Sequence, residues 1–323
     1  MASPQKVIQL RPTGEPRRLN RPDGFVVAAV AVGVDGEAIR LLVPEEHSAA
    51  LVPKEGSSWP YFPKEHKEST DSSIVAISRG PKSRQLRLLG LVGIFSELSM
   101  FPNGELLVVA PRCRPRSDGS ELNAQVFDQD GKRKRAFLLG DGINRVQCDR
   151  QGNIWVAYFD EGVFGNLGWG DDVNPLGASG LSCFTGDGHR TWDFKPPEGF
   201  GEIYDCYALN VSGAGAWAYY YDDFPIVFID SNWQIRAWKT QTSGARTFAV
   251  GDQNILLYGG YEPEGTWCRL LRVGDGVAEL IGRVALDFPD KVDLTKAKVI
   301  GRGKELHVFS GDDWYRFSVD SVG

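Results

Sequence analysis

Apolar residues recur in short runs of four to six along almost the whole chain, separated by Gly, Asp, Asn and Pro. Helical periodicity is nearly absent, and short runs with turn residues at regular spacing predict an all-β chain. The clearest unit is an apolar strand, an Asp-Gly-type turn and a second strand ending in an aromatic. It reads Val126-Phe127…Asp130-Gly131…Phe137, then Cys183-Phe184…Asp187-Gly188…Trp192, then Val227-Phe228…Ser231-Asn232…Trp238. A fainter copy is Leu270-Leu271…Asp275-Gly276…Leu280, and Tyr315-Arg316-Phe317 begins one more. From Phe127 through Phe184, Phe228 and Leu271 to Phe317 the steps are 57, 44, 43 and 46 residues. That period is the length of a propeller blade, with one insertion.

A second motif precedes each hairpin. Trp155-Val156-Ala157-Tyr158-Phe159-Asp160-Glu161 and Trp217-Ala218-Tyr219-Tyr220-Tyr221-Asp222-Asp223 align as Trp-x-x-Tyr-aromatic-Asp-acid. Strands named A to D then tile the chain as one β-propeller domain over 1–323, of six blades of four antiparallel strands. A seventh is open only if the irregular first blade, 19–91 with its insertion at 44–72, hides another. Blades two to five run 95–140, 141–197, 199–241 and 243–288. The last, 295–319, has three strands, and the alternating segment 6–10 is expected to supply its fourth, closing the fold without an exposed edge. Short helix or irregular loop is expected only at 286–297 and 44–72.

Alternation of strand direction puts the short A–B and C–D turns at one end of each blade and the B–C and D–A loops at the other. The B–C loops carry unusual chemistry: Arg112 and Arg114 in blade two, Asp160 through Asn174 in blade three, Asp222-Asp223 in blade four, Tyr261-Glu262 in blade five and Asp312-Asp313 in the last. Long loops on a rigid scaffold are where binding usually resides. The acids either attract a cation or a basic partner, or are solvated turn residues. In blade three, four glycines punctuate aromatics and acids, with Asp160, Glu161, Asn166, Trp169, Asp171 and Asp172; Trp169 either stacks on a ligand or packs on the next blade. At the D–A mouth, Glu97, Asn144 and Asp205 are candidates for holding calcium or magnesium, or are core-facing polar groups.

The net charge of −6 argues against a nucleic-acid or anionic-membrane partner, both of which need a basic footprint. No apolar stretch reaches the roughly 18 residues that span a bilayer, and the N-terminus lacks the apolar core of a signal peptide. Five cysteines without a CxxC pair indicate neither a zinc site nor a disulfide framework, so a cytoplasmic, reducing location is expected. Of the four histidines, His189 falls on a C–D hairpin at the wrong end and His307 within a strand; only His47 and His66 in the insertion could reach the acidic face, so general-base or zinc chemistry on the blades has little support.

Gly140-Asp141-Gly142-Ile143, the stretch Trp155 to Asn166, Gly177-Ala178-Ser179-Gly180-Leu181, Asp205 to Asn210 and Tyr221 to Ile226 resemble a group of uncharacterised bacterial propeller proteins. The resemblance covers about 95–265 and implies a six-bladed fold, similar in architecture to lactonase-like propellers, but no activity. The expected function is a non-catalytic binding or scaffold module whose B–C face holds a protein or small polar ligand through Tyr158, Tyr220, Tyr221 and the loop residues named above. The alternatives are a divalent-metal-dependent hydrolase or lyase acting at the channel mouth, and a structural subunit of a larger assembly.

Overall fold

The apolar runs form strands, and the polar punctuation forms the turns between them, in six four-stranded antiparallel blades of a β-propeller. The structure, a computed structural model, describes residues 7–48, 73–79, 82–91, 97–115, 119–166, 168–171, 173–261 and 267–322. Asp172, Glu262 and insertion residues 49–72 lie outside the described residues. Two compact units make up the chain: residues 20–194, and residues 1–19 together with 195–323.

The unit 20–194 holds blades one to three. Blade one is β3 (Phe25–Val32), β4 (Ala38–Pro44), β5 (Ile74–Arg79) and β6 (Lys82–Arg87). Blade two is β7 (Glu97–Met100), β8 (Leu106–Val109), β9 (Ala124–Phe127) and β10 (Arg133–Phe137). Blade three is β11 (Ile143–Cys148), β12 (Ile154–Tyr158), β13 (Leu181–Phe184) and β14 (Arg190–Asp193). The B strands β4, β8 and β12 are buried at every position, because neighbours cover both faces of the blade. That is why Leu106-Leu107-Val108-Val109 reads as an unbroken apolar run instead of an alternation. Two clusters fill the spaces, one around Ile39, Leu41, Leu98 and Phe127, the other around Val109, Ile154, Val156 and Phe184.

The other unit holds blades four to six. Blade four is β15 (Asp205–Ser212), β16 (Gly215–Tyr221), β17 (Ile226–Asp230) and β18 (Ile235–Trp238). Blade five is β19 (Ala245–Val250), β20 (Asn254–Gly259), β21 (Cys268–Val273) and β22 (Ala278–Leu286). The last blade is β23 (Lys298–Arg302), β24 (Glu305–Ser310) and β25 (Asp313–Ser318). An N-terminal strand does complete it, but the residues differ from those expected. The completing strand is β2 (Arg17–Arg18), antiparallel to β25 through Arg17↔Trp314 and Arg18↔Asp313. The alternating segment forms β1 (Val7–Leu10), which pairs parallel with β22 as a fifth strand of blade five. Leu10 is thereby buried in a cluster with Val284, Leu306 and Phe317.

Four of the strand-connecting turns share a bracing device at the residue that opens them. Asp128 Oδ1 accepts the amides of Asp130 (3.0 Å) and Lys132 (2.9 Å). Asp149 does the same for Gln151 and Asn153, and Asp230 for Asn232 and Gln234. In blade three Thr185 Oγ1 takes the role for Asp187 and His189. A short side-chain oxygen reaching two amides ahead fixes the turn before the strands pair.

Candidate functional site

In blade three the B–C segment, expected from sequence as a tightly folded loop without helix, opens with a single helical turn, α1 (Asp160–Phe164). The turn exists because Gly142 and Gly162 come together. A Cβ on Gly142, whose φ is +68°, would lie 2.2 Å from the Gly162 amide nitrogen, so only glycine allows this approach. The Phe159 amide donates to the Gly142 carbonyl at 2.9 Å. The Gly-Asp-Gly and Asp-Glu-Gly motifs are two halves of one joint.

Asp141 sits within that joint, and Arg112 from blade two reaches it. Arg112 Nε and Nη2 lie 3.1 and 3.0 Å from the Asp141 carboxylate, and both side chains are 2% exposed. Arg112 Nη1 also donates to Glu161, which in turn accepts from Asn166 Nδ2 at 2.6 Å. The Cys113 amide donates to Asp141 Oδ1 at 2.7 Å, and Trp169 Nε1 donates to the Cys113 carbonyl at 2.8 Å. Burial raises the Asp141 carboxyl above its ordinary value, with the Arg112 charge and the Cys113 amide pulling the other way. Burial likewise pushes the Cys113 thiol up, so it is not a nucleophile at neutral pH.

These contacts give several expected ligand-binding residues internal roles. Trp169 is buried with its indole N–H satisfied, so it cannot stack on a ligand from this position. Tyr158 is fully buried, its hydroxyl donating to the Leu139 carbonyl and its ring filling the space a Cβ on Gly177 would need. Tyr220 is buried and donates to the Gly201 carbonyl at 3.0 Å. Arg112 is the centre of the buried cluster, and Arg114 is half-buried with its amide on Glu121. Asp160 and Asp171 are exposed.

Of the expected metal ligands, Glu97 already has protein partners. Glu97 Oε1 accepts from Arg145 at 3.0 Å, and its other oxygen accepts the Val146 amide at 3.3 Å. Asn144 is half-buried beside it, whereas Asp205 belongs to the other unit and starts β15 opposite Tyr221. Among the described residues no group of three or more His, Cys, Asp or Glu is placed to hold a metal ion.

A different arrangement occupies the B–C end of blades four and five. Phe224 touches four tyrosines: Tyr207 (centroids 5.3 Å, edge-on), Tyr219 (5.4 Å, stacked), Tyr221 (5.6 Å) and Tyr261 (5.9 Å). The Tyr207 and Tyr261 hydroxyls share a 2.5 Å hydrogen bond. Tyr219 is buried and tied to the Thr242 carbonyl, but Tyr261 is 63% exposed and Tyr221 is 43% exposed. Tyr261 lies over Gly244, where a Cβ would come within 2.9 Å of the ring. Asp222 and Asp223 stand beside the cluster, both exposed, with the Asp223 amide on Asp222 Oδ1.

Two β-bulges aim side chains at this end, and sequence reasoning missed both. Between Cys206↔Tyr220 and Ala208↔Tyr219, residue 207 is the extra residue of β15; between Ala245↔Gly259 and Thr247↔Tyr258, residue 246 is the extra residue of β19. A bulge redirects its side chain out of the alternation and is common beside binding sites. Tyr207 enters the aromatic cluster. Arg246 is exposed, beside the Gly259 backbone, and has no acidic partner among the described residues. Equivalent bulges occur at Ala28 in β3 and Asn144 in β11.

No curated protein matches the chain. Among solved structures it is similar to virginiamycin B lyase from Staphylococcus aureus, 11% identical over 94% of this chain and 98% of that one, with a TM-score of 0.47. It is also similar to the gluconolactonase XC5397 from Xanthomonas campestris (13% identity, 98% of each chain, TM-score 0.41). A third is the β-propeller domain of Cps50 (Swd1) from Myceliophteria thermophila (12% identity, 92% of this chain and 100% of that one, TM-score 0.49). A model of the YxzG family matches residues 191–316, a stretch that contains blades four and five and most of the last.

Proposed function

We propose that the chain is a non-catalytic binding propeller, working in a reducing, cytoplasmic setting, that holds a protein or small polar ligand at the B–C end of blades four and five. The observation that carries this reading is the half-open cluster of Tyr207, Tyr221, Phe224 and Tyr261. Tyrosines present a large apolar area at low entropic cost and keep a hydroxyl for hydrogen bonding, which is why they concentrate in binding surfaces. Exposed Arg246 at the start of β19 and exposed Asp222-Asp223 after β16 supply charge of both signs for orienting a polar ligand. The five cysteines are all unbridged and buried, which supports the reducing setting.

Saturation-transfer NMR with a library of small polar fragments, run beside a pull-down from lysate, tests the site. Fragments or partners retained by the wild type should be lost from Phe224→Ala with Tyr261→Ser, and weakened by Asp222→Asn with Asp223→Asn. Equal retention by the aromatic double variant would overturn the assignment of this surface.

A further inference from the structure

In the unit 20–194, the outer strand of blade one, β6, reads Lys-Ser-Arg-Gln-Leu-Arg, and the outer strand of blade two is entered through Lys132-Arg133-Lys134. Lys82, Arg84, Arg87, Lys132, Arg133 and Lys134 are all exposed. The two segments adjoin. The Leu89 amide donates to the Gly131 carbonyl at 2.8 Å, and Arg133 Nη1 donates to the Gly90 carbonyl at 3.2 Å. Gly131 lies on the Arg87 carbonyl so closely that a Cβ there would be 1.9 Å from it.

Elsewhere in this unit, six arginines are matched by acids. Arg79 meets Asp35 and Glu37, Arg112 meets Asp141 and Glu161, and Arg135 meets Glu105 and Asp187. Arg145 meets Glu97, Arg150 meets Asp35, and Arg190 meets Asp193. None of the six cations on β6 and at the start of β10 makes an ion pair among the described residues. The nearby Asp128 is committed to its turn: the Lys132 amide holds its carboxyl below the usual range, with the charges of Lys134 and Lys132 adding to the effect. A chain of net charge −6 therefore concentrates six exposed cations along one edge, none of them in an ion pair among the described residues.

That edge is also an unfinished ladder. Among the described residues, the last strand in the order β3-β4-β5-β6 has a strand neighbour on one side only. Charged side chains on an edge strand discourage association with other strands. They do so only against neutral or basic strands, and the same charges attract an acidic one.

We propose that β6, with the adjoining Lys132–Lys134 segment, is a docking edge for an acidic, extended segment of a partner protein. The segment adds to β6 as a further strand, main-chain bonds giving affinity and its carboxylates facing Lys82 and Arg84, which the unbroken β5–β6 register puts on one face of the strand. The patch lacks what the other polyanions need. It has no aromatic side chain for nucleic-acid bases to stack on. It also has little to insert into a membrane, since Leu89 is its exposed apolar side chain. This surface is independent of the tyrosine cluster, so either can fail alone.

Fluorescence anisotropy on the full chain tests the proposal, using a labelled eight-residue peptide that alternates Glu with Val or Thr. At low ionic strength the peptide should bind, and added salt should weaken it. Glu-to-Gln replacement throughout the peptide, or Lys82→Glu with Arg84→Glu in the protein, should each weaken binding by about tenfold or more. Lys132→Glu with Lys134→Glu should weaken it as well, and thermal melts establish that both variants fold. N-methylation of alternate peptide amides should abolish binding, because strand addition needs them. The proposal is overturned if the peptide does not bind, if charge reversal leaves binding unchanged, or if the N-methylated peptide binds equally. It is also overturned if single-stranded DNA or phosphatidylserine vesicles bind this edge in preference to the peptide.

Discussion

Replacing Arg112 by methionine keeps most of the side-chain volume but removes the charge between Asp141 and Glu161. Asp141 and Arg112 are each 2% exposed, and Glu161 is 16% exposed. Breaking a buried pair by removing one partner costs about 3–5 kcal/mol, because the other charge stays buried without compensation. The loss should fall near the lower end of that range: Asp141 keeps the Cys113 amide, and Glu161 keeps Asn166 and some access to water. The cost should also depend on pH. The folded Asp141 carboxyl lies above its ordinary 3.8, so the folded state binds more protons than the unfolded state between the two values. Stability from this group therefore falls as pH rises through the folded value. Without the guanidinium that value moves higher still, so the deficit of Arg112→Met is largest at neutral pH and shrinks on acidification. Urea unfolding followed by tryptophan fluorescence suits the question, because the Trp169 indole is bonded to the residue after Arg112. Adding Asp141→Asn to Arg112→Met should recover much of the loss at neutral pH. A deficit below about 1 kcal/mol, or one that stays constant on acidification, would refute the claim that this cluster is a buried charge lock.

Two further substitutions probe the unit formed by 1–19 and 195–323. Asn210 is fully buried and donates to the Phe248 and Gly303 carbonyls (2.7 and 3.0 Å) while accepting the Gly303 amide (2.7 Å). Asn210→Ala removes all three bonds, leaving the Gly303 carbonyl only the Val250 amide at 2.9 Å, and should cost about 2–3 kcal/mol, read as a lowered melting temperature by scanning fluorimetry; an unchanged midpoint would contradict it. His307 accepts from Trp314 Nε1 at Nδ1 (3.2 Å), so its proton is on Nε2, and burial lowers its pKa to about 3. Because the unfolded histidine gains a proton first, this residue should cost about 1.4 kcal/mol of stability per pH unit as pH falls from roughly 6.5 towards 3. His307→Asn keeps an acceptor for Trp314 and should flatten that part of the stability curve; an unaltered slope would show that other groups cause it.

Blade phase was legible because it is written in apolar runs such as Leu106–Val109 and in turn residues at fixed distances from them. Partner choice was not. Val7–Leu10 alternates as a strand should, but four residues carry no information about which edge they join. The strand that completes the last blade, Arg17–Arg18, has no apolar signal at all. In the candidate site, the recurrence of Trp-x-x-Tyr-aromatic-Asp was real, and its two copies agree at the tyrosine but part at the residues that follow it. Tyr158 and Tyr220 turn inward because a backbone carbonyl waits for each hydroxyl, whereas Tyr221 stays at the surface. A tyrosine with a buried acceptor and one with a free hydroxyl are the same letter. Tyr207 and Arg246 were hidden for another reason. A bulge adds one residue to an alternation, and nothing in a single sequence distinguishes that from an ordinary turn boundary.

The N-terminal strap has a consequence for how the molecule is made. Thr13 holds the Ser318 amide across 305 residues of chain, and β2 waits for β25 in the same way. Chains emerge from the ribosome N-terminus first, at about 5–20 residues per second. The earliest segment must therefore stay unpaired for tens of seconds while the intervening blades are completed. Only when the final strand leaves the exit tunnel can the last blade form, so a nascent chain stalled before residue 313 would carry two unsatisfied edges at once.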